Sequence, residues 1–227
     1  MRITVFTAFS GYDSQCMALE RLKEKYPNFD YELVGWSDID PYAIRLHDAN
    51  FPEAKGLNYG DISTIDWKKV REFDLFTYSF PCQSISSAGR QAGLEEGSGT
   101  VSSLLWECRK AIEVKRPKYA LMENVKALMQ KKFLPYFHKW QEELEAYGYN
   151  NYTRVMNAAD YGVPQNRERV FMLSIRKDVD DHTFTFPEPE ELKTRLVDIL
   201  EENVPDRYYL SEEAVAKYQE AVNESAD

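Results

Sequence analysis

The chain is expected to fold as an α/β domain of the doubly wound kind, a mostly parallel sheet with helices on both faces, and three observations predict it. Short β-branched and aromatic runs alternate with longer helical stretches. The chemically distinctive residues fall near the ends of those runs, where open α/β sheets hold their ligands. A length of 227 residues suits one such domain with a sizeable core and is too short for two.

The elements follow in order. A first strand at Ile3 to Thr7 leads through Phe9-Ser10-Gly11 into a helix at Ser14 to Tyr26, and a second strand at Tyr31 to Trp36 into a helix at Pro41 to Asn50. A third strand, Phe73 to Tyr78, precedes a glycine-rich stretch and a helix at Ser103 to Val114. A fourth, Tyr119 to Met122, is followed by a helix at Phe133 to Tyr147, and two more strands lie at Tyr152 to Met156 and Val170 to Ile175. Beyond residue 176 the chain turns acidic and is punctuated by Pro187, Pro189 and Pro205. A last helix, Ser211 to Asn223, opens on a serine N-cap with glutamates nearby.

Composition narrows the classes. No apolar run is long enough to span a membrane, and Met1-Arg2-Ile3-Thr4-Val5-Phe6 reads as a strand and not a signal peptide, so an intracellular (cytoplasmic) protein is expected. Cys16, Cys82 and Cys108, like His47, His138 and His182, have neither disulfide nor metal-ligand spacing, and no structural metal is expected. The formal charge of −10 is unfavourable for a partner made of phosphates, which calls for a basic footprint. Much of the excess acid lies after residue 187, at Glu188, Glu190, Glu191, Glu201, Glu202, Glu212 and Glu213.

The densest chemistry is in Ser79-Phe80-Pro81-Cys82-Gln83. Proline fixes φ and removes a donor, so the chain turns there and the cysteine can face a cleft. Its thiolate would be the strongest ordinary side-chain nucleophile. Taken alone, such a cysteine is more often a small buried hydrophobe. Met122-Glu123-Asn124-Val125, Gln165-Asn166-Arg167-Glu168-Arg169 and the Phe9-Ser10-Gly11 loop shift the balance, because the topology places all of them around one cleft. The stretch Gly89 to Gly99, with four glycines in eleven residues, reads by itself as a mobile surface loop. Beside Cys82 it reads as an active-site loop.

The order and spacing of Phe9-Ser10-Gly11, Asp38 after the second strand, Asp61-Ile62, Pro81-Cys82-Gln83, Glu123-Asn124-Val125 and Gln165-Asn166-Arg167-Glu168-Arg169 resemble the cytosine-C5 DNA methyltransferases, from about residue 3 to about residue 211. Any one triplet recurs by chance; the ordered set is specific. The resemblance implies a Rossmann-like, S-adenosylmethionine-dependent catalytic domain over residues 1–176. Residues 177–227 would form an acidic C-terminal extension leading towards a target-recognition domain that this chain does not carry.

DNA, with its target cytosine flipped out of the duplex, is the implied substrate. By resemblance Cys82 is the nucleophile that attacks C6, Glu123 hydrogen-bonds or protonates N3, Arg169 faces O2 and Arg167 supports the thiolate side. Gln83, Ser86 and Ser87 would contact phosphate or the base step. For S-adenosylmethionine, Phe9 would pack on the adenine, Gly11 admit the methionine part and Asp38 accept from the ribose hydroxyls. Ile39 would cover the other adenine face, Asp61 with Ile62 read the adenine edge, and Pro81 and Leu104 close the methionine end.

The chain departs from the family pattern in three places. Gly11-Tyr12-Asp13-Ser14 has Asp13 where many members carry further glycines, which reads as tolerated variation in a turn. Val101 stands where the family usually has an arginine, a loss of ~1 to 3 kcal/mol if it behaves like a typical charged hydrogen bond. The chain is expected to lack the family's recognition domain and a final helix completing the cofactor pocket, so weak cofactor and DNA affinity and no sequence-specific methylation are expected from the chain alone, with a second chain expected as a complement. Two alternatives stay open at this level: a catalytically silent cofactor-binding or regulatory module, and an RNA cytosine methyltransferase.

Overall fold

The structure, a computed structural model, describes residues 1–86 and 93–224. Six strands, β1 (Arg2–Ala8), β2 (Asp30–Ser37), β3 (Leu75–Tyr78), β4 (Tyr119–Val125), β5 (Tyr149–Asn157) and β6 (Glu168–Arg176), form one sheet in the order β2-β1-β3-β4-β6-β5. β1 pairs parallel with β2 and β3, and β3 with β4, whereas β6 is antiparallel to both β4 and β5. Five strands therefore run one way and β6 alone runs back. The start of β6 consequently lies at the edge where the other strands end, which brings the Arg167–Arg169 segment to the same edge as the loops after β1, β3 and β4. The chain reverses its winding direction between β2 and β3, so a crevice opens at the ends of β1 and β3.

Helices α1 (Ser14–Lys25), α2 (Pro41–Asn50), α3 (Cys108–Lys115) and α4 (Leu134–Ala146) cover the sheet. Two separate cores divide the apolar residues. Cys16, Trp36, Phe51 and Ala54 pack with Tyr31, Leu33 and Ile44, while Phe6, Phe76, Tyr78, Met122, Ile112, Phe137 and Trp140 belong to the larger cluster. Val34 joins the larger cluster although Leu33 and Trp36 belong to the smaller one, as opposite faces of one strand require. A register shift at Val5/Phe6 leaves Val34 without an opposite residue, and this bulge returns Trp36 to the face of Leu33. Gly35 is obligatory beside it. A Cβ there would lie 2.7 Å from the Phe6 ring and 2.8 Å from that of Tyr59.

Several boundaries differ from the sequence expectation, β5 and β6 among them, which begin earlier at Tyr149 and Glu168, and three of the differences bear on the site. β3 starts at Leu75 and not at Phe73, because the Asp74 carboxylate accepts from the Thr4 amide (3.0 Å) and hydroxyl (3.1 Å) and fixes the strand entrance, while Phe73 drops into the core. β4 continues past Met122, because β6 pairs Glu123 with Phe171, Asn124 with Val170 and Val125 with Arg169. Glu123, Asn124 and Val125 are thus strand residues and not a loop. The expected helix at Ser103 to Val114 is a 3-10 turn, Val101–Glu107, running into α3.

After β6 the chain forms 3-10 turns at Leu196–Ile199 and Asp206–Tyr208 and then α5 (Glu212–Glu224), where the Ser211 hydroxyl accepts from the Ala214 amide at 3.3 Å. Side chains from 191 to 221 are nearly all exposed. Among the described residues no helix is long and apolar enough to cross a membrane, and no group of three or more His, Cys, Asp or Glu residues is arranged to hold a metal ion.

Candidate active site

The Cys82 loop is built by residues distant in sequence. Asn124 Nδ2 donates to the Phe80 carbonyl at 2.9 Å, and the Ser102 hydroxyl donates to the Pro81 carbonyl at 2.6 Å while accepting from the Ser84 amide at 3.1 Å. Gln15 on α1 donates to the Ser79 hydroxyl at 3.0 Å, and the Ile85 and Ser86 amides both return to the Cys82 carbonyl. The backbone around Cys82 is therefore clamped from β4, α1 and the turn before α3. Cys82 is half-buried, whereas Cys16 and Cys108 are fully buried. Burial, with Asp13 nearby for Cys16, pushes both of those thiols far above their ordinary range. Of the three cysteines only Cys82 is partly exposed.

Across the same edge, Glu123 and Arg169 sit diagonally on the β4–β6 ladder and point to one face. Their side chains form an ion pair, Nε to Oε1, at 3.0 Å, with Glu123 26% and Arg169 20% exposed. Arg167 lies just before β6 and its side chain is exposed; its amide donates to Asn157 Oδ1 at 2.9 Å and its carbonyl accepts from the Ala158 amide at 3.0 Å. Lys126 joins Glu168 at 2.7 Å and ties the end of β4 to the start of β6. Gln83 is exposed and Ser86 half-buried; Ser87 lies outside the described residues, as do 88–92 of the glycine-rich stretch.

The described remainder of that stretch is anchored. The Leu94 carbonyl accepts from Trp106 Nε1 at 2.9 Å, and Glu96 pairs with Arg109 (2.8 Å) and Lys139 (2.7 Å), which hold its carboxyl down to about 2. Both cations also lie over the Trp106 ring. Gly93, Gly97 and Gly99 have φ of 120°, 75° and 69°, values that side-chain-bearing residues rarely adopt.

At the ends of β1 and β2, Gly11 (φ 58°) donates its amide to Asp38 Oδ2 at 2.8 Å, and the Asp40 amide donates to Asp38 Oδ1 at 2.9 Å. Asn58 holds the Asp38 peptide from both sides, accepting from its amide at 3.2 Å and donating to its carbonyl at 3.0 Å. Phe9 also has a positive φ, 56°, and packs against the larger core, and Ile39 is 70% exposed. Asp61 is exposed and caps the turn of Ser63, while the Ile62 side chain is buried in the core, so only its backbone can face a ligand. Pro81 and Leu104 are half-buried. Sequence reasoning missed the supporting residues Ser102, Gln15 and Asn58. Only Asn58, in an Asn-x-Gly turn, carried a local signal.

The sequence and the fold are similar to those of known methyltransferases. The type II methyltransferase M2.ScrFI of Lactococcus lactis subsp. cremoris is 51% identical over 265 aligned positions, covering 94% of this chain and 72% of its own length. The orphan methyltransferase M.SssI of Spiroplasma monobiae is 42% identical, covering 88% of this chain and 66% of its own. The solved methyltransferase EhMeth of Entamoeba histolytica has a TM-score of 0.76 at 18% identity, covering 95% of this chain and 65% of its own, and shares the fold. The chain spans about half the length of two further relatives, from Bacillus phages rho11s and SPR (48% and 53%). The C-5 cytosine-specific DNA methylase family profile matches residues 3–227, so the match runs through every strand and motif described above, and the chain belongs to that family.

Proposed function

We propose that this chain is the catalytic part of a DNA cytosine-C5 methyltransferase, with residues 1–176 as its catalytic domain and 177–227 as an acidic extension. One observation carries the reading: the one partly exposed cysteine, Cys82, sits in a loop clamped at the sheet edge that also carries the Glu123–Arg169 pair and the Gly11–Asp38 crevice. The family and the relatives' names favour DNA over RNA as the substrate. Nothing in the fold or the comparisons supports a second chain as a partner.

The crevice suits S-adenosylmethionine. Each Asp38 oxygen is already oriented by one backbone amide and keeps a lone pair for a ribose hydroxyl. Ile39 lies exposed where an adenine face could cover it, with Phe9, Gly11, Asp61, the Ile62 backbone, Pro81 and Leu104 completing the lining. When bound, the cofactor supplies an electrophilic methyl group on its sulfonium. Asp38→Ala is expected to weaken its binding by ~1 to 3 kcal/mol, the range for hydrogen bonds to a charged acceptor. Calorimetric titration showing unchanged affinity would move the ribose site elsewhere.

For the base, the Cys82 thiolate adds to C6, which breaks the ring's aromaticity and makes C5 a nucleophile. Glu123 stabilises the charge reaching N3, and Arg169 that at O2. Once C5 is methylated, loss of its proton expels the Cys82 thiolate and restores the ring. Arg167, Gln83 and Ser86 would border this centre; Ser87, outside the described residues, is assigned to it by the resemblance alone.

Affinity for the duplex has a local source despite the charge of −10. Between Glu123 and Glu142 the sequence holds no acid but carries Lys126, Lys131, Lys132 and Lys139; Lys126 follows β4 directly, and the exposed Lys131 and Lys132 come after the short 3-10 turn Lys126–Met129. Replacing Lys131 and Lys132 with alanine should lower the slope of log affinity against log salt by about 2, roughly one per phosphate contact. Binding titrations across a salt series read it; an unchanged slope would remove these lysines from the interface.

Incorporation of labelled methyl from S-adenosylmethionine into duplex DNA by the 227-residue protein tests the reading. Product at cytosine C5 supports it. Cofactor binding with no product over a range of salt and DNA concentrations would favour the silent cofactor-binding module.

A further inference from the structure

Behind the cofactor loop lies a buried polar cluster that the reaction does not use directly. Asp13 and His47 are both fully buried. Asp13 caps α1 from a left-handed backbone, φ 63° and ψ 61°, with Oδ1 accepting from the Cys16 amide at 3.0 Å. Oδ2 accepts from the Thr7 hydroxyl at 2.8 Å and faces His47 Nε2 at 3.2 Å. The His47 ring stacks on Trp36, centroids 3.7 Å apart and planes within 12°, and its Nδ1 is buried with no partner among the described residues. Because the Thr7 hydrogen goes to Asp13, the Ser10 hydroxyl is the donor towards Thr7, at 2.9 Å to both Oγ1 and the carbonyl oxygen.

A helix cap alone does not call for this. Serine or asparagine at the surface caps a helix as well, and a left-handed aspartate and a desolvated carboxylate are both unfavourable unless other contacts compensate. What the cluster adds is a link among β1 through Thr7, α1 through Cys16 and α2 through His47. Residues 7, 10 and 13 bracket the loop in which Phe9 and Gly11 take positive φ, and the Gly11 amide from that loop orients Asp38.

We propose that Asp13 and His47 are positioning residues for the methyl-donor site, fixing the Phe9–Gly11 loop and through it Asp38. The inference rests on the cofactor reading above. Sequence alone treats Asp13 as a tolerated turn residue; here it is the hub that the flanking elements share.

The test uses three variants of the full chain, titrated with S-adenosylmethionine by calorimetry alongside thermal unfolding and amide hydrogen exchange of the cofactor-free protein. Asp13→Gly relieves the left-handed strain but removes the carboxylate. His47→Phe keeps the stack on Trp36 and removes both the Nε2 donor and the unpartnered Nδ1. Asp13→Asn keeps the acceptor for the Cys16 amide. Asp13→Gly and His47→Phe should raise Kd at least tenfold, with Asp13→Asn between them and the unaltered protein. The Tm of His47→Phe should stay within a few degrees, and amide protection at residues 10–12 should fall. If Asp13→Gly fails to fold, His47→Phe decides. Unaltered Kd in folded variants, or affinity lost only in proportion to Tm, would overturn the inference and leave the cofactor reading standing. No binding by the unaltered chain would overturn both.

Discussion

Replacing Cys82 with serine is expected to lower methyl transfer by at least ~10³-fold, about 4 kcal/mol of barrier, while leaving S-adenosylmethionine affinity within a few fold. The asymmetry follows from position. Cys82 follows the clamped Phe80–Pro81 carbonyls, and serine can keep the loop's backbone bonds from Asn124 and Ser102 because none of them uses the thiol. Cys16 and Cys108 cannot substitute, being fully buried with thiols pushed far up. Single-turnover methyl incorporation beside calorimetry reads both halves. Normal turnover by Cys82→Ser would remove covalent catalysis from the mechanism.

Glu123→Gln should slow the same step by ~10² to 10⁴-fold, the usual range for losing a positioned acid–base group. Glutamine retains the shape and can donate to N3 but cannot deliver a proton, and it also loses the 3.0 Å ion pair to Arg169. Arg169→Lys should not behave as a conservative change, because an ammonium cannot reproduce the guanidinium's planar set of donors towards both the carboxylate and O2. Both variants should keep cofactor affinity, since neither residue lines the Gly11–Asp38 crevice. A rate within tenfold of the unaltered protein in Glu123→Gln would take N3 away from this carboxylate.

The sheet's elements were readable from alternation because β1, β2 and the helices α1, α2 and α4 each carry a local pattern that agrees with their final place. What failed was non-local. Glu123-Asn124-Val125 contains only one β-branched residue, and its strand conformation is imposed by pairing with Val170 and Arg169 on a strand more than forty residues away. β6 runs in the reverse direction, which no local signal fixes, and that reversal brings Arg167 just before the strand and Arg169 at its start to the edge where the others end. Cys82, Glu123 and Arg169 stood out because their chemistry is unusual at a strand end. Ser102, Gln15 and Asn124 act through hydrogen bonds to partners 21, 64 and 44 residues away, and such bonds leave no periodic trace. Asp13 was legible as a turn residue, but its burial against His47 depends on α2, more than thirty residues on, being brought against the loop after β1.

The most direct measurement is covalent trapping on duplex DNA in which the candidate cytosines carry fluorine at C5, in the presence of S-adenosylmethionine. Fluorine cannot leave as the C5 proton does, so the thiolate cannot be expelled after methylation and the adduct persists. A Cys82 nucleophile predicts a denaturation-resistant protein–DNA complex, mapping by peptide mass to Cys82 and absent from Cys82→Ser. A protein that binds both the cofactor and this DNA yet forms no adduct, or forms it at another residue, would contradict it.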